Sequence, residues 1–140
     1  MELKMGIADL QAFLQRDFTQ VADDFEFVSV KPYEVTMALA ASEKHLRPGG
    51  TVSGPSMFAL ADVSAYFAVL SMLGPVALAV RTNCSIDFMR KPAPGRIICR
   101  MELLKLGRVL AVTEGRLFSE TAMDKPVARA SLTYSIPPTP

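Results

Sequence analysis

Residues 46–73 read LRPGGTVSGPSMFALADVSAYFAVLSML, and this stretch decides the fold. It opens with a loop rich in Pro and Gly. Ser53 or Gly54 can cap a following helix, and Pro55 suits the first helical position because the N–H that proline lacks would be unpaired there. Gly74 predicts the end of the helix, since glycine readily adopts the left-handed conformation of a helix cap. The helix is apolar on nearly all sides, which is typical of a helix buried in a core.

Sequence periodicity outside this helix predicts one further helix and six strands. Apolar residues at helical spacing predict an amphipathic helix over residues 3–20. Alternation and turn residues predict strands at 25–31, 33–40, 76–89, 96–106, 108–119 and 126–136. A strand as long as 76–89 must bend or carry a bulge. Residues 137–140 are predicted to form a loose, Pro-rich tail.

This order of elements predicts an α+β fold in a single domain spanning residues 1–140. A long central helix is wrapped by a curved antiparallel sheet, and a second helix precedes them at the N-terminus. One helix cannot cover both faces of such a sheet. We therefore expect a second copy of the chain to close part of the uncovered surface.

Composition excludes several classes of protein. The chain has 140 residues with 15 Lys+Arg and 14 Asp+Glu, and a net charge of +1 is not that of a dedicated nucleic-acid binder. No membrane span is expected, because a span needs roughly 20 apolar residues and Asp62 interrupts the most apolar stretch. Cys84 and Cys99 are too few for a disulfide scaffold or a four-ligand zinc site. We expect free thiols, no metal and a cytoplasmic location.

Asp62 is the most informative single residue. It lies about two turns into an apolar helix, where a buried, unpaired carboxylate costs several kcal/mol. It therefore either performs chemistry or is paired with Arg47, Arg81 or Arg90, and the residues alone leave both possibilities open. The start of the same helix offers free backbone N–H groups suited to polarising a carbonyl.

Two segments resemble the phenylacetic-acid-type branch of the hotdog-fold acyl-CoA thioesterases. The first runs from Leu46 through the Gly loop to Asp62, and the second reads CSIDFMR at residues 84–90. The resemblance implies a PaaI-like hotdog enzyme that hydrolyses acyl-CoA to an acid and coenzyme A as a homodimer or a dimer of dimers. Coenzyme A is then part of the substrate, and no separate cofactor is implied.

The same resemblance implies roles for particular residues. Asp62 would act as general base or nucleophile at the thioester carbonyl, and the N–H of Gly54 would polarise that carbonyl. In the family, the two groups come from different subunits across a dimer interface. The residues predicted to contact substrate are Arg47, Ser53, Met57, Asn83 and Arg90.

The chain departs from the family pattern at three positions. Ser53-Gly54-Pro55 replaces the usual His-Gly-Gly, and Arg47 stands where the family places an Asn. Arg47 would either pair with Asp62 or bind an acidic acyl group. These departures keep open an alternative function, namely a non-catalytic acyl-CoA binding protein. A hotdog hydratase is disfavoured because the only histidine, His45, lies far upstream of Asp62.

Overall fold

The computed structural model describes residues 2–75, 80–93 and 95–138. It contains two α-helices and six strands, with short 3₁₀ turns at Ala22–Asp24 and Glu43–His45. The elements are α1 (Ile7–Asp17), β1 (Phe25–Lys31), β2 (Glu34–Leu39), α2 (Gly54–Leu73), β3 (Val80–Phe88), β4 (Ile97–Leu106), β5 (Leu110–Ser119) and β6 (Ala128–Ser135).

The six strands form one sheet in the order β1-β2-β4-β5-β6-β3. Every neighbouring pair is antiparallel. The strand that follows α2 therefore crosses to the far side of the sheet, and β1 and β3 form its two edges. This arrangement confirms the predicted α+β class.

The core forms between α2 and the inward face of the sheet. Leu60, Phe67 and Leu70 are fully buried, as are Met37 on β2 and Met101 on β4. By length and composition α2 would suit a membrane span, but 67% of its most apolar window is buried inside the protein. It is the core helix of this domain.

The predicted ends of α2 are confirmed. The Ser53 hydroxyl caps the helix by accepting a hydrogen bond from the Ser56 N–H at 3.2 Å. Gly74 ends it with φ of 103°, a conformation that side chains with a Cβ rarely adopt.

The N-terminal helix is shorter than the sequence predicts, spanning Ile7–Asp17 instead of residues 3–20. The backbone N–H groups of Lys4 and Met5 bind the carbonyl of Ser71 at the end of α2, so this segment is used to tie the two helices together. At the other end, the Phe18 ring packs edge-on against Phe67. Tertiary contacts thus override the helical pattern at both ends.

The predicted long strand at 76–89 corresponds to β3. A register shift between Arg81 and Asn83 supplies the irregularity that such a strand requires. Residues 76–79 of the prediction lie outside the described residues. In the predicted Pro-rich tail, Pro137 and Pro138 have no regular structure, and residues 139–140 lie outside the described residues.

Candidate active site

An open cavity of about 580 Å³ lies at the amino end of α2. Three segments line it, namely the Gly-rich loop, the first turn of α2 and the chain that follows β3. Four of the seven predicted site residues meet here, and they are Arg47, Gly54, Met57 and Arg90.

Gly54 supplies the free donor of this cavity. It is the first residue of α2, and its N–H donates no hydrogen bond to any described group. The ring of Phe88 packs against it so closely that a Cβ would lie 3.3 Å from the Cζ atom. Glycine therefore lets the end of β3 approach the helix while the N–H stays available.

Ser53 serves the helix cap. Besides accepting from the Ser56 N–H, its hydroxyl donates to the Ser56 Oγ at 3.0 Å. The Ser53 hydroxyl proton is therefore engaged within the first turn of α2 and is not directed toward a substrate in the cavity.

The cavity wall carries three cationic side chains, Arg47, Arg90 and Lys91. None of the three forms an ion pair with a carboxylate in the described part of the chain. Arg90 is held by donating a hydrogen bond to the Pro126 carbonyl at 2.7 Å. The cavity is therefore suited to a ligand that carries negative charge.

Asp62 lies in a second cluster, farther along α2. The Tyr134 hydroxyl donates to its Oδ1 at 2.7 Å, and the Arg81 Nη1 lies 3.5 Å from the same oxygen. The carboxylate remains 33% exposed, and its Oδ2 accepts no hydrogen bond from the described residues. One oxygen is thus held in place while the other is available to a water molecule or a substrate.

Arg81 is the residue that pairs with Asp62. The sequence left three arginines open as partners of Asp62. Arg81 is the one that pairs with it within one chain, because Arg47 and Arg90 lie at the cavity beside Gly54. The reason is the path of β3, whose start lies beside the middle of α2 and whose end lies beside its first turn. The Arg81 guanidinium also lies 5.4 Å from the ring centroid of Phe58, one turn before Asp62.

Asn83 lies close to the Asp62 cluster but outside the cavity. It borders a shallow depression together with Phe58, Arg81, Thr82 and Cys84. Its side chain is exposed on the edge strand β3. A group approaching this edge from outside would meet Asn83 and Arg81 together.

Tyr134 is a site residue that sequence reasoning missed. Burial, followed by the negative charge of Asp62, raises its pKa well above the ordinary range, so the phenol keeps its proton and remains a donor. Its inward position on β6 indicates a buried hydrogen bond, because a buried tyrosine needs a partner for its hydroxyl. The identity of that partner depended on the fold, since Asp62 lies 72 residues away.

His45 lies apart from both clusters. It is buried, its Nδ1 accepts from the Ser42 N–H at 2.9 Å, and its Nε2 lies 3.5 Å from the Asp24 carboxylate. It thus fastens the loop before α2 to the start of β1. In the described part of the chain, no three His, Cys, Asp or Glu side chains converge as metal ligands would.

The two clusters lie along one side of α2 but do not meet. Gly54, Phe58 and Asp62 recur every four residues, and the eight-residue separation from Gly54 to Asp62 corresponds to a rise of about 12 Å. The edge strand β3 flanks both clusters, since Phe88 touches Gly54 and Arg81 reaches Asp62. A single chain therefore presents two separate polar clusters beside an open sheet edge.

Comparison with known proteins identifies the class. The sequence profile of the thioesterase superfamily matches residues 49–125, which is more than half of the chain and includes all of α2. The chain belongs to the thioesterase superfamily. A search of curated proteins gave no match.

Solved structures agree with this assignment. A protein from Silicibacter sp. TM1040, proposed to be a thioesterase, is 55% identical, with a TM-score of 0.91 over 99% of this chain and 96% of that one. A mutant of the phenylacetic acid degradation protein PaaI from Thermus thermophilus is 28% identical, with a TM-score of 0.72 over 86% and 99%. Zebrafish thioesterase superfamily member 2, at 21% identity, shares the fold with a TM-score of 0.83 over 96% and 100%. The hotdog fold and the resemblance to PaaI-like thioesterases are confirmed.

The Tyr134–Asp62 contact generates a prediction about alkaline stability. Because the pKa of Tyr134 is higher in the folded than in the unfolded chain, this residue stabilises the fold below pH about 10, and that contribution is lost as the pH rises further. Above that pH, the free energy of unfolding should fall more steeply in the wild type than in Tyr134→Phe. The difference between the two slopes should approach about 1.4 kcal/mol per pH unit. Urea unfolding at a series of alkaline pH values measures it.

Two comparisons make this measurement specific. Burial also raises the pKa of the Cys99 thiol to about 12, and its contribution is common to both proteins. Tyr33→Phe removes an exposed phenol and is the matched control. Equal slopes in the wild type and Tyr134→Phe would contradict the assigned donor role.

Proposed function

We propose that this protein is an acyl-CoA thioesterase that hydrolyses an acyl-CoA to a free acid and coenzyme A. The observation that carries the proposal is the partly exposed Asp62 carboxylate on an otherwise apolar core helix, with one oxygen held by Tyr134 and Arg81 and the other available. The free N–H of Gly54 at the start of the same helix supports it. Membership of the thioesterase superfamily supports thioester hydrolysis as the general activity.

The chemistry follows from these two groups. The free oxygen of Asp62 takes a proton from water while the water oxygen bonds to the thioester carbonyl carbon. The negative charge that develops on the carbonyl oxygen is stabilised by the N–H of Gly54. Collapse of the tetrahedral intermediate breaks the C–S bond, and the proton held by Asp62 passes to the departing sulfur. Attack by Asp62 itself, followed by hydrolysis of the anhydride, uses the same groups.

Two copies of the chain are part of the proposal. An Asp62 and a Gly54 about 12 Å apart on one helix cannot both reach one carbonyl, because each needs a contact of roughly 3 Å. The edge strand β3 carries unpaired backbone groups beside both half-sites, so pairing of two β3 edges would bring Asp62 of one copy toward Gly54 of the other. A homodimer or a dimer of dimers then has complete sites.

The cavity lining supports coenzyme A thioesters as the substrate class. Arg90 and Lys91 offer positive charge for the phosphates, and Met57, Phe88 and Met89 offer an apolar wall for the acyl group. Arg47 lies beside them and fits either a phosphate or an acidic acyl group. Two free thiols fit a reducing compartment, and we place the protein in the cytoplasm.

A non-catalytic acyl-CoA binding protein is the second candidate. The contact that favours it is the one between Arg81 and Asp62, because a guanidinium 3.5 Å from Oδ1 engages part of the carboxylate that hydrolysis would use. Isothermal titration with acyl-CoA, together with a thiol-release assay, separates the two functions. Tight binding without thiol release would favour the binding protein.

Asp62→Asn should abolish hydrolysis and leave the fold intact. The amide keeps the shape and can still accept from Tyr134, but it cannot take a proton from water. We expect a loss of at least about 100-fold in kcat, as for removal of a general base. Thiol release over short, long and aryl acyl-CoA substrates measures it. Asp87→Asn, which changes an exposed carboxylate on the same edge strand, is the matched control, and wild-type turnover by Asp62→Asn would exclude the mechanism.

Mixing two inactive variants tests whether the site is shared. Gly54→Pro removes the N–H at the first helical position, where proline is compatible with the helix backbone, although the Phe88 ring must shift by a few tenths of an ångström to admit the added side chain. When Asp62→Asn and Gly54→Pro subunits are mixed after mild dissociation, half of the dimers are mixed, and each mixed dimer has one intact site. Activity should therefore return to about a quarter of the wild-type value, in proportion to the one intact site in every four. No recovery in a mixture shown to contain mixed dimers would mean that one chain supplies both groups.

The roles of Arg47 and Lys91 can be separated by substrate. A residue that binds phosphates of coenzyme A should, when changed to Gln, raise KM for acyl-CoA by roughly 10-fold and leave the N-acetylcysteamine thioester of the same acid unaffected. We expect this behaviour for Lys91→Gln. If Arg47 binds an acidic acyl group, Arg47→Gln should raise KM equally for both thioesters of a dicarboxylic acid. Parallel KM measurements on the two substrates decide between these roles for Arg47.

A further inference from the structure

One buried polar side chain faces the cavity at the amino end of α2. Thr51 lies in the Gly-rich loop and lines this cavity. The residue is only 7% exposed. The three cationic residues of the lining are exposed, and its other buried residues are apolar. Thr51 therefore supplies the one buried polar side chain of the described cavity lining.

The hydroxyl of Thr51 neither donates nor accepts a hydrogen bond within the described part of the chain. The hydroxyls of two other buried residues are paired. Thr113 donates to the Leu132 carbonyl at 2.8 Å, and Ser71 donates to the Ala68 carbonyl at the same distance. A buried hydroxyl without a partner destabilises a protein. An unpaired hydroxyl beside a cavity therefore indicates that a molecule inside the cavity supplies the missing partner.

Backbone hydrogen bonds hold Thr51 in place. Its carbonyl accepts from the Arg47 N–H at 2.8 Å, and the Ser53 N–H donates to the His45 carbonyl at 2.8 Å. The turn before Thr51 uses Gly50 with φ of 85°, a conformation that residues with a Cβ rarely adopt. The position of the Thr51 side chain is thus set before a ligand binds, which lowers the entropic cost of binding.

The spacing between Thr51 and Gly54 shows that the two groups serve different parts of a ligand. Between them, Val52 pairs with Leu46 in a β-bridge, and Ser53 is extended, with φ of −72° and ψ of 155°. Three residues of extended chain span up to about 10 Å. The Thr51 hydroxyl and the Gly54 N–H are therefore too far apart to bind the same carbonyl oxygen.

We propose that the Thr51 hydroxyl binds the first amide of the pantetheine arm of a coenzyme A thioester while the thioester carbonyl lies at Gly54. In such a thioester, the sulfur and a two-carbon link separate the carbonyl from this amide, so the two polar groups lie apart, as the two donors of the cavity do. A hydroxyl both donates and accepts, and it therefore suits either the N–H or the C=O of the amide. This role rests on the proposed function and assigns recognition of the thiol half of the substrate to this cavity.

Thr51→Val tests this role, because it removes the hydroxyl and keeps the shape of the side chain. The substrates are two thioesters of one acid, namely the N-acetylcysteamine thioester, which retains the first amide, and the S-butyl thioester, which lacks it. For the N-acetylcysteamine thioester, kcat/KM should fall by roughly 10-fold, because one hydrogen bond to the substrate is lost. For the S-butyl thioester, kcat/KM should change by less than about 2-fold, because no such bond exists. Thiol release measures both values.

Two further variants make the kinetic test specific. Thr51→Ser keeps the hydroxyl and should retain most of the activity on the N-acetylcysteamine thioester. Thr121→Val makes the same change of side chain on the exposed turn between β5 and β6 and should leave both values unchanged. Circular dichroism establishes that each variant is folded. Unchanged values in folded Thr51→Val, an equal loss on both thioesters, or a Thr51→Ser variant as impaired as Thr51→Val would each overturn the proposal.

Isothermal titration separates failure of this role from failure of the proposed function. If the wild type hydrolyses neither thioester, the hydrolytic function is excluded, and binding tests Thr51 by itself. Thr51→Val should then weaken the binding of coenzyme A by roughly 10-fold and leave unchanged the binding of adenosine 3′,5′-bisphosphate, which lacks the pantetheine arm. Equal affinity of the wild type and Thr51→Val for coenzyme A, or no binding of coenzyme A by the wild type, would exclude the role of Thr51.

Discussion

The burial of α2 is the constraint on which the rest of this structure depends. A 20-residue helix that is apolar on all sides is stable in water only when it is covered on all sides. The sheet provides most of that cover through the inward faces of β2, β4, β5 and β6, and α1 adds an aromatic contact through Phe18 and Phe67. The strand order places β1 and β3 at the two edges of the sheet.

This constraint also explains where the polar groups lie. A carboxylate can persist on such a helix only where the cover is incomplete and where polar partners are available. Asp62 meets both conditions, because it lies beside the open edge at β3, and Tyr134 and Arg81 engage one of its oxygens. Packing around α2 is also incomplete at its amino end, where the Gly54 N–H faces a cavity lined by cationic side chains. The same incomplete burial thus leaves room for both polar clusters.

Much of the fold was predictable because its signals are local. The limits of α2 follow from Ser53 and Gly74, whose cap conformations depend on their own chemistry. The strands followed from alternation, and only their ends differ by a few residues. The start of α1 could not be predicted, because the segment before Ile7 bonds to the distant Ser71 carbonyl. Within the site, Asp62 and Gly54 stand out in the sequence, whereas Tyr134 acquires its role only through contact with Asp62.

The sequence alone was enough to predict the class of fold, the core helix and, through its resemblance to a family, the two residues proposed to act at the thioester carbonyl. It determined them because helix caps, periodicity and a lone carboxylate in an apolar run act over a few neighbouring residues. The tertiary structure was needed to show that Arg81, and neither Arg47 nor Arg90, pairs with Asp62 and that the Tyr134 hydroxyl donates to it. These outcomes depend on strand order and register, which are set by the packing of the whole sheet on α2.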